Sequence, residues 1–180
     1  LGIAVDSQGN ILVGNDKRDN VEVYDPDTGD LLASFGKDEL EMPTSITVDS
    51  NDNIYVTDTR SNTVYVYGSS YQLVRSIGEP GNGDDQLRSP ADAALNAAET
   101  ELLVLDRLNK VIKVFNVEGN YLRTIEPYPG TSSWFSGCTG GTPFTPLQAA
   151  HLAPHGTLHV MDILDVVVGI YDKQTGDNLD

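Results

Sequence analysis

The chain has 180 residues and is strongly acidic, with 27 Asp and Glu against 11 Lys and Arg and a formal net charge of −16. Binding to nucleic acid needs a broad basic face that displaces counterions from phosphates, so we expect no nucleic-acid partner. No stretch approaches the roughly 20 apolar residues that span a bilayer, so no membrane span is predicted. The single cysteine excludes an internal disulfide framework.

Four segments of the chain repeat one pattern, in which two alternating apolar runs flank a polar turn. They begin at Ile11, Ile54, Leu102 and Leu158. Alternation with period two and enrichment in Val, Ile and Tyr predict paired β-strands. The repeats follow one another every 40 to 60 residues or so, which is typical of the blades of a β-propeller.

Each predicted strand pair has a further apolar strand before it, and the first three pairs have another after it. The chain therefore divides into four consecutive four-stranded blades, the last incomplete, within one repeat region over 1–180. The predicted blades cover about 1–43, 44–90, 91–146 and 147–180. The third blade includes an insertion at 126–146, where the alternation is lost.

The segment Gly78–Pro90 (GEPGNGDDQLRSP), followed by the strand pair VLDRLNKVIKVF, resembles the linker and hallmark strands of NHL-repeat propellers. The resemblance implies an all-β propeller, and NHL propellers usually have about six blades. Four blades therefore predict a partial or open propeller, completed by a protein partner or a neighbouring chain. The family and the acidity together favour an extracellular or periplasmic location.

Several arginines fall in the turns between the second and third strands of the predicted blades. Guanidinium groups bind carboxylates and sulfates through two parallel hydrogen bonds. Three arginines are therefore candidate contacts for a ligand or partner: Arg18, Arg60 and Arg107. The alternative is a set of solvated turns that exchange charge with neighbouring linkers, since surface ion pairs contribute little.

The insertion at 126–146 concentrates aromatic side chains among Gly, Pro, Ser and Thr. Long loops in compact domains often carry function. We predict that Tyr128, Trp134 and Phe135 contact a partner or ligand. The alternative is that they pack back onto the third and fourth blades.

The three histidines lie in the fourth blade, at His151, His155 and His159. A hairpin that turns around His155 places His151 opposite His159, where the two imidazoles could hold a transition metal with a carboxylate such as Asp92 or the Cys138 thiolate. The alternative is an ordinary cross-strand polar pair.

Four residues open the turns between the second and third strands: Asn15, Asp58, Asp106 and Asp162. A calcium ring would need six or more convergent oxygens, so we expect these residues to form Asx turns with backbone N–H groups. No cofactor is required by the sequence, and calcium and zinc are the candidate metals.

The sequence favours a non-catalytic binding or scaffold module that recognises a protein, a glycan or a small ligand through its loop face. No set of catalytic residues is identified. The alternative, implied by the NHL resemblance, is a metal-dependent lyase or lactonase-like propeller enzyme with an axial site. For that alternative the candidate residues are Ser45, Asp92 and His151, because they lie in or beside the innermost strands.

Overall fold

The computed structural model describes residues 2–126 and three later strands, Leu147–Leu152, Thr157–Asp162 and Val167–Asp172. All regular structure in these residues is β, and the strands form antiparallel sheets in sequence order, apart from one short parallel pair. No helix long and apolar enough to cross a membrane occurs in this part of the chain.

Three four-stranded sheets follow one another along the chain. The first contains β1 (Ile3–Val5), β2 (Ile11–Asn15), β3 (Asn20–Tyr24) and β4 (Leu31–Phe35). The second contains β5 (Pro43–Val48), β6 (Ile54–Asp58), β7 (Thr63–Tyr67) and β8 (Leu73–Ile77).

A short parallel pair, β9 (Glu79–Pro80) and β10 (Gln86–Leu87), lies in the linker before the third sheet. The third sheet contains β11 (Pro90–Leu95), β12 (Glu101–Asp106), β13 (Val111–Asn116) and β14 (Tyr121–Ile125). The described strands of the last sheet are β15 (Leu147–Leu152), β16 (Thr157–Asp162) and β17 (Val167–Asp172).

The sheets pack face to face, which explains why their central strands are apolar on both sides. One core lies between the first two sheets, around Leu12, Val23 and Ile54. A second core lies between the second and third sheets, around Val66 and Leu102. Every residue of β6 is buried, as expected for a strand covered on both faces.

The first strands of successive sheets are neighbours, since β5 contacts β1 on one side and β11 on the other, and β11 contacts β15. The fourth strands β4, β8 and β14 form the sheet edges, and they expose apolar side chains such as Leu32, Val74 and Leu122. Sheets stacked in this way, with their first strands innermost, confirm the predicted all-β propeller.

Candidate functional site

The turns that follow β6 and β12 are built around buried carboxylates. Asp58 is fully buried, and its Oδ1 accepts hydrogen bonds from the backbone N–H of Arg60 (3.1 Å) and Ser61 (2.9 Å). Its Oδ2 accepts two more, from the N–H groups of Glu41 and Met42 at 2.7 Å each. The carboxylate therefore joins its own turn to the incoming linker, and the predicted Asx turn is confirmed here.

Asp106 occupies the same position in the third sheet and has a different set of partners. Its carboxylate accepts hydrogen bonds from Arg88 N (2.8 Å) and Asn109 Nδ2 (2.7 Å), and Lys113 Nζ lies 3.7 Å away. Burial raises the pKa of this carboxyl, and the hydrogen bonds and the Lys113 charge partly offset that effect. These partners belong to the linker, the turn and the neighbouring strand, so the Asp106 carboxylate holds parts of the fold together.

Lys113 is a buried cation that sequence reasoning did not identify. Its ammonium group donates to the backbone oxygens of Gly83 and Gln86, both in the linker that contains β9 and β10. Alternation along β13 indicates that the residue lies on a sheet face, but its partners come from residues about 30 positions earlier. A lysine in an apolar strand was the available signal, because a buried ammonium group needs acceptors.

The innermost strands bring two of the predicted axial residues together. Ser45 Oγ on β5 donates a 2.5 Å hydrogen bond to Asp92 Oδ1 on β11, and the same oxygen accepts from Ala93 N at 2.9 Å. The register of each strand against its neighbour shifts immediately before these residues, between Pro43 and Ser45 and between Pro90 and Asp92. Such bulges re-aim side chains, and they recur at functional sites.

Further hydroxyl groups join the second and third sheets near these two residues. Thr47 Oγ1 donates to Ala93 O at 2.7 Å, and Thr59 Oγ1 donates to Pro90 O at 2.6 Å. Thr44 Oγ1 lies 2.9 Å from Thr59 Oγ1. The inner surface between β5 and β11 is therefore polar, partly buried and ordered by hydrogen bonds.

The histidine pair is defined by backbone register. His151 on β15 and His159 on β16 are direct Cα partners, which confirms the predicted hairpin register. β15 runs beside β11, the strand that carries Asp92. A metal site at these residues remains a prediction, and residues 2–126 contain no cluster of three or more His, Cys, Asp or Glu side chains suited to a metal.

The three predicted arginine contacts have different environments. Arg18 donates to Glu22 Oε1 at 2.7 Å, within a network in which hydrogen bonds from Tyr24 and Asn15 and the Arg18 charge lower the pKa of Glu22. Arg107 Nη2 donates to Ser89 Oγ at 3.3 Å. The Arg60 side chain is exposed. The predicted contacts Tyr128, Trp134 and Phe135 lie outside the described residues.

The sheets stack face to face, and their innermost strands carry polar side chains. This arrangement defines a β-propeller. The chain belongs to the family described as 6-bladed beta-propeller, whose model matches residues 37–130. That match runs from the linker after the first sheet to just beyond the third. The NHL type of the repeats stays a prediction.

The curated relatives are named as amidating enzymes. The peptidyl-glycine alpha-amidating monooxygenase of Mus musculus is 23% identical over 189 residues, covering 86% of this chain and 18% of the relative. The peptidyl-alpha-hydroxyglycine alpha-amidating lyase 2 of Drosophila melanogaster is 29% identical over 124 residues, covering 66% of this chain and 30% of the relative. The chain thus spans less than a third of these relatives.

Solved structures with a similar fold include a streptogramin B lyase, at a TM-score of 0.73 and 12% identity, covering 97% of this chain and 51% of that one. The hydrazine synthase of Kuenenia stuttgartiensis has a TM-score of 0.75 at 15% identity, covering 99% of this chain and 47% of the synthase chain. At these identities the similarity shows a shared fold.

Proposed function

We propose that this chain forms part of a propeller enzyme of the lyase class, with its active site where the innermost strands meet. The observation that carries the proposal is the hydrogen bond between Ser45 and Asp92, which joins two adjacent inner strands just after a register shift in each. The names of the curated relatives support an enzyme over the scaffold interpretation.

The proposed reaction converts a peptidyl-α-hydroxyglycine into a peptide amide and glyoxylate. A base removes the proton of the α-hydroxyl group, the electron pair on that oxygen forms the new C=O bond, and the C–N bond breaks. The nitrogen then takes up one proton, so atoms and charge balance without an oxidant. In this proposal Asp92 is the base and the Ser45 hydroxyl group positions it.

A metal on the axis, which the NHL resemblance implies, would polarise an oxygen of the substrate. Of the predicted axial residues, His151 on the next inner strand would supply a nitrogen donor to such a metal, whereas Asp92 is the proposed base and Ser45 is bonded to it. Residues 2–126 hold no set of three metal-ligating side chains, so further donors would have to come from other parts of the propeller. The roles proposed for Asp92 and Ser45 therefore involve proton transfer and hydrogen bonding alone.

The test is an assay of glyoxylate release from N-benzoyl-α-hydroxyglycine, measured against the spontaneous rate. Asp92→Asn keeps an oxygen that can accept from Ser45 Oγ and Ala93 N, so the fold should persist. Loss of a general base should reduce kcat by about 10² to 10⁴ with little change in KM. Ser45→Ala, which removes a positioning contact, should reduce kcat by about tenfold.

The matched control is Asp27→Asn, which removes one carboxylate from an exposed turn of the first sheet. It should leave kcat and KM unchanged. An unaccelerated reaction with the wild-type protein contradicts the proposal, and so does an Asp92→Asn variant as active as the control.

A further inference from the structure

The linker between β8 and β11 contains the single Asn–Gly sequence of the chain, Asn82–Gly83. Asparagine followed by glycine is the pair most prone to deamidation, because glycine has no side chain to keep its backbone nitrogen away from the asparagine amide. Asn82 is exposed, and its side chain forms no hydrogen bond within residues 2–126. Its amide carbon is therefore open to attack.

Deamidation at this pair needs only water. The Gly83 nitrogen loses its proton and attacks Cγ of Asn82, the bond from Cγ to Nδ2 breaks, and that nitrogen leaves as ammonia. Water then opens the cyclic succinimide at either of its carbonyl carbons, which gives aspartate or isoaspartate. Ammonia is lost and water is gained, nothing is oxidised or reduced, and a neutral amide becomes a carboxylate.

The attacking nitrogen is held in a hydrogen bond that opposes this reaction. Gly83 N donates to Gln86 Oε1 at 3.0 Å, and Gln86 Nε2 donates to Glu79 Oε1 at 2.9 Å, which fixes the orientation of the Gln86 amide. The Gln86 side chain lies against the turn, since a Cβ added at Gly83 would be 3.1 Å from Gln86 Oε1. The peptide group cannot rotate towards Cγ of Asn82 until this bond breaks.

The backbone on both sides of Asn82 is anchored as well. Gly81 N donates to Leu87 O at 3.0 Å. Gly83 O accepts a hydrogen bond from the buried ammonium group of Lys113 on the third sheet. Asn82 is therefore an exposed, unbonded side chain between two anchored glycines.

We propose that Asn82 is a deamidation site and that Gln86 slows the reaction by holding the Gly83 nitrogen. Isoaspartate carries the backbone through Cγ, so it adds one carbon atom to the chain between Gly81 and Gly83. Because both glycines are anchored, the added atom displaces Gly83 O from Lys113, and the buried ammonium group loses an acceptor. The modification loosens the contact between the linker and the third sheet.

The experiment incubates the purified full chain at mildly alkaline pH and follows the Asn82–Gly83 sequence by peptide mapping, which separates asparagine, aspartate and isoaspartate. A synthetic peptide of residues 79–86 gives the rate without the fold. The wild-type protein should deamidate about tenfold or more slowly than this peptide. Gln86→Met keeps the length of the side chain but removes the acceptor, so it should deamidate about fivefold faster than wild type.

The matched control is Gln72→Met, the same substitution at an exposed glutamine in the turn after β7. It should keep the wild-type rate. A wild-type rate equal to that of the peptide would overturn the proposal, and so would a Gln86→Met variant that reacts no faster than the control. The comparison of wild type with the peptide does not require any variant to fold.

The loosened linker has a test of its own. Aged protein, in which isoaspartate is the main product, carries an additional negative charge and is separated by anion exchange. Its urea unfolding is compared with that of Asn82→Asp, which has the same charge without the additional backbone atom. We expect a lower midpoint for the aged fraction, and equal midpoints would contradict the loss of the Lys113 contact. Glyoxylate release enters neither test, so this proposal and the proposed function fail separately.

Discussion

Replacing Asp58 with alanine tests how strongly the buried carboxylates hold the propeller together. The Asp58 side chain is 0% exposed and accepts four backbone N–H groups, two from its own turn and two from the linker after β4. Leaving a buried donor unsatisfied costs about 1–3 kcal/mol. We take the low end of that range, about 1 kcal/mol for each N–H group, because water can reach turns more easily than cores. With four N–H groups left without their acceptor, Asp58→Ala should lower the free energy of unfolding by about 4 kcal/mol.

Asparagine at the same position should cost about half as much, ~2 kcal/mol, because its oxygen still accepts from one pair of N–H groups. Its NH₂ group, however, faces the other pair of donors. The first sheet already has an asparagine, Asn15, at the equivalent turn position. Among residues 2–126, its Oδ1 accepts a hydrogen bond from Lys17 N alone, at 3.1 Å.

Urea unfolding followed by far-ultraviolet circular dichroism measures these costs. With a slope of about 2 kcal/mol per molar urea, Asp58→Ala should lower the midpoint by about 2 M and Asp58→Asn by about 1 M. Asp16→Ala, in the exposed turn of the first sheet, should change stability by less than about 0.5 kcal/mol. A cost for Asp58→Ala of less than about 1 kcal/mol would refute the assignment of the four hydrogen bonds.

Three further predictions concern packing and protonation. Burial raises the pKa of Tyr55 to about 12 from the ordinary value of 10.0, so the folded state retains a proton that the unfolded state loses. The free energy of unfolding should therefore keep its full value below pH 10 and decrease as the pH rises towards about 12. Tyr55→Phe should make this decrease smaller in urea unfolding at alkaline pH, and an unchanged pH dependence would contradict the assignment. Gly2→Ala should cost about 2–3 kcal/mol, because its Cβ would lie 2.8 Å from backbone atoms of Ser45, and a melting temperature equal to wild type would refute this close approach. Two hydrogen bonds from Ser7, from its hydroxyl and its N–H group, lower the pKa of Asp52, so Ser7→Ala should raise that pKa in an NMR titration; no rise would contradict the contact.

The strand pattern could be predicted from the sequence because alternation and turn residues are local signals. The strand predicted after each of the first three strand pairs is present as β4, β8 and β14. The pairing of His151 with His159 followed from the symmetry of one hairpin. Local chemistry sets all of these features.

The features that were not predicted depend on contacts between distant residues. The parallel pair β9 and β10 is supported by Lys113 from the next sheet and by the Gln86 side chain, which binds Gly83 N and Glu79. The bond between Ser45 and Asp92 joins residues 47 positions apart. Both residues were placed on inner strands by the repeat pattern, but their contact depends on how two sheets pack.

The site could be anticipated only in part for the same reason. Arg18, Arg60 and Arg107 lie in similar turns of the sequence, yet Arg18 is paired with Glu22 while Arg107 is directed to Ser89. The neighbouring linkers determine which of these arginines has N–H groups without a hydrogen-bond acceptor. Sequence periodicity does not predict those contacts.

The measurement that tests the central claim most directly is the rate of glyoxylate release by the wild-type protein, by Asp92→Asn and by the control Asp27→Asn. A carboxylate base on the inner strands predicts release above the spontaneous rate, a loss of about 10² or more in kcat for Asp92→Asn, and no loss for the control. Equal rates for the two variants would contradict the proposed role of the inner strands, as would a wild-type rate no faster than the spontaneous reaction.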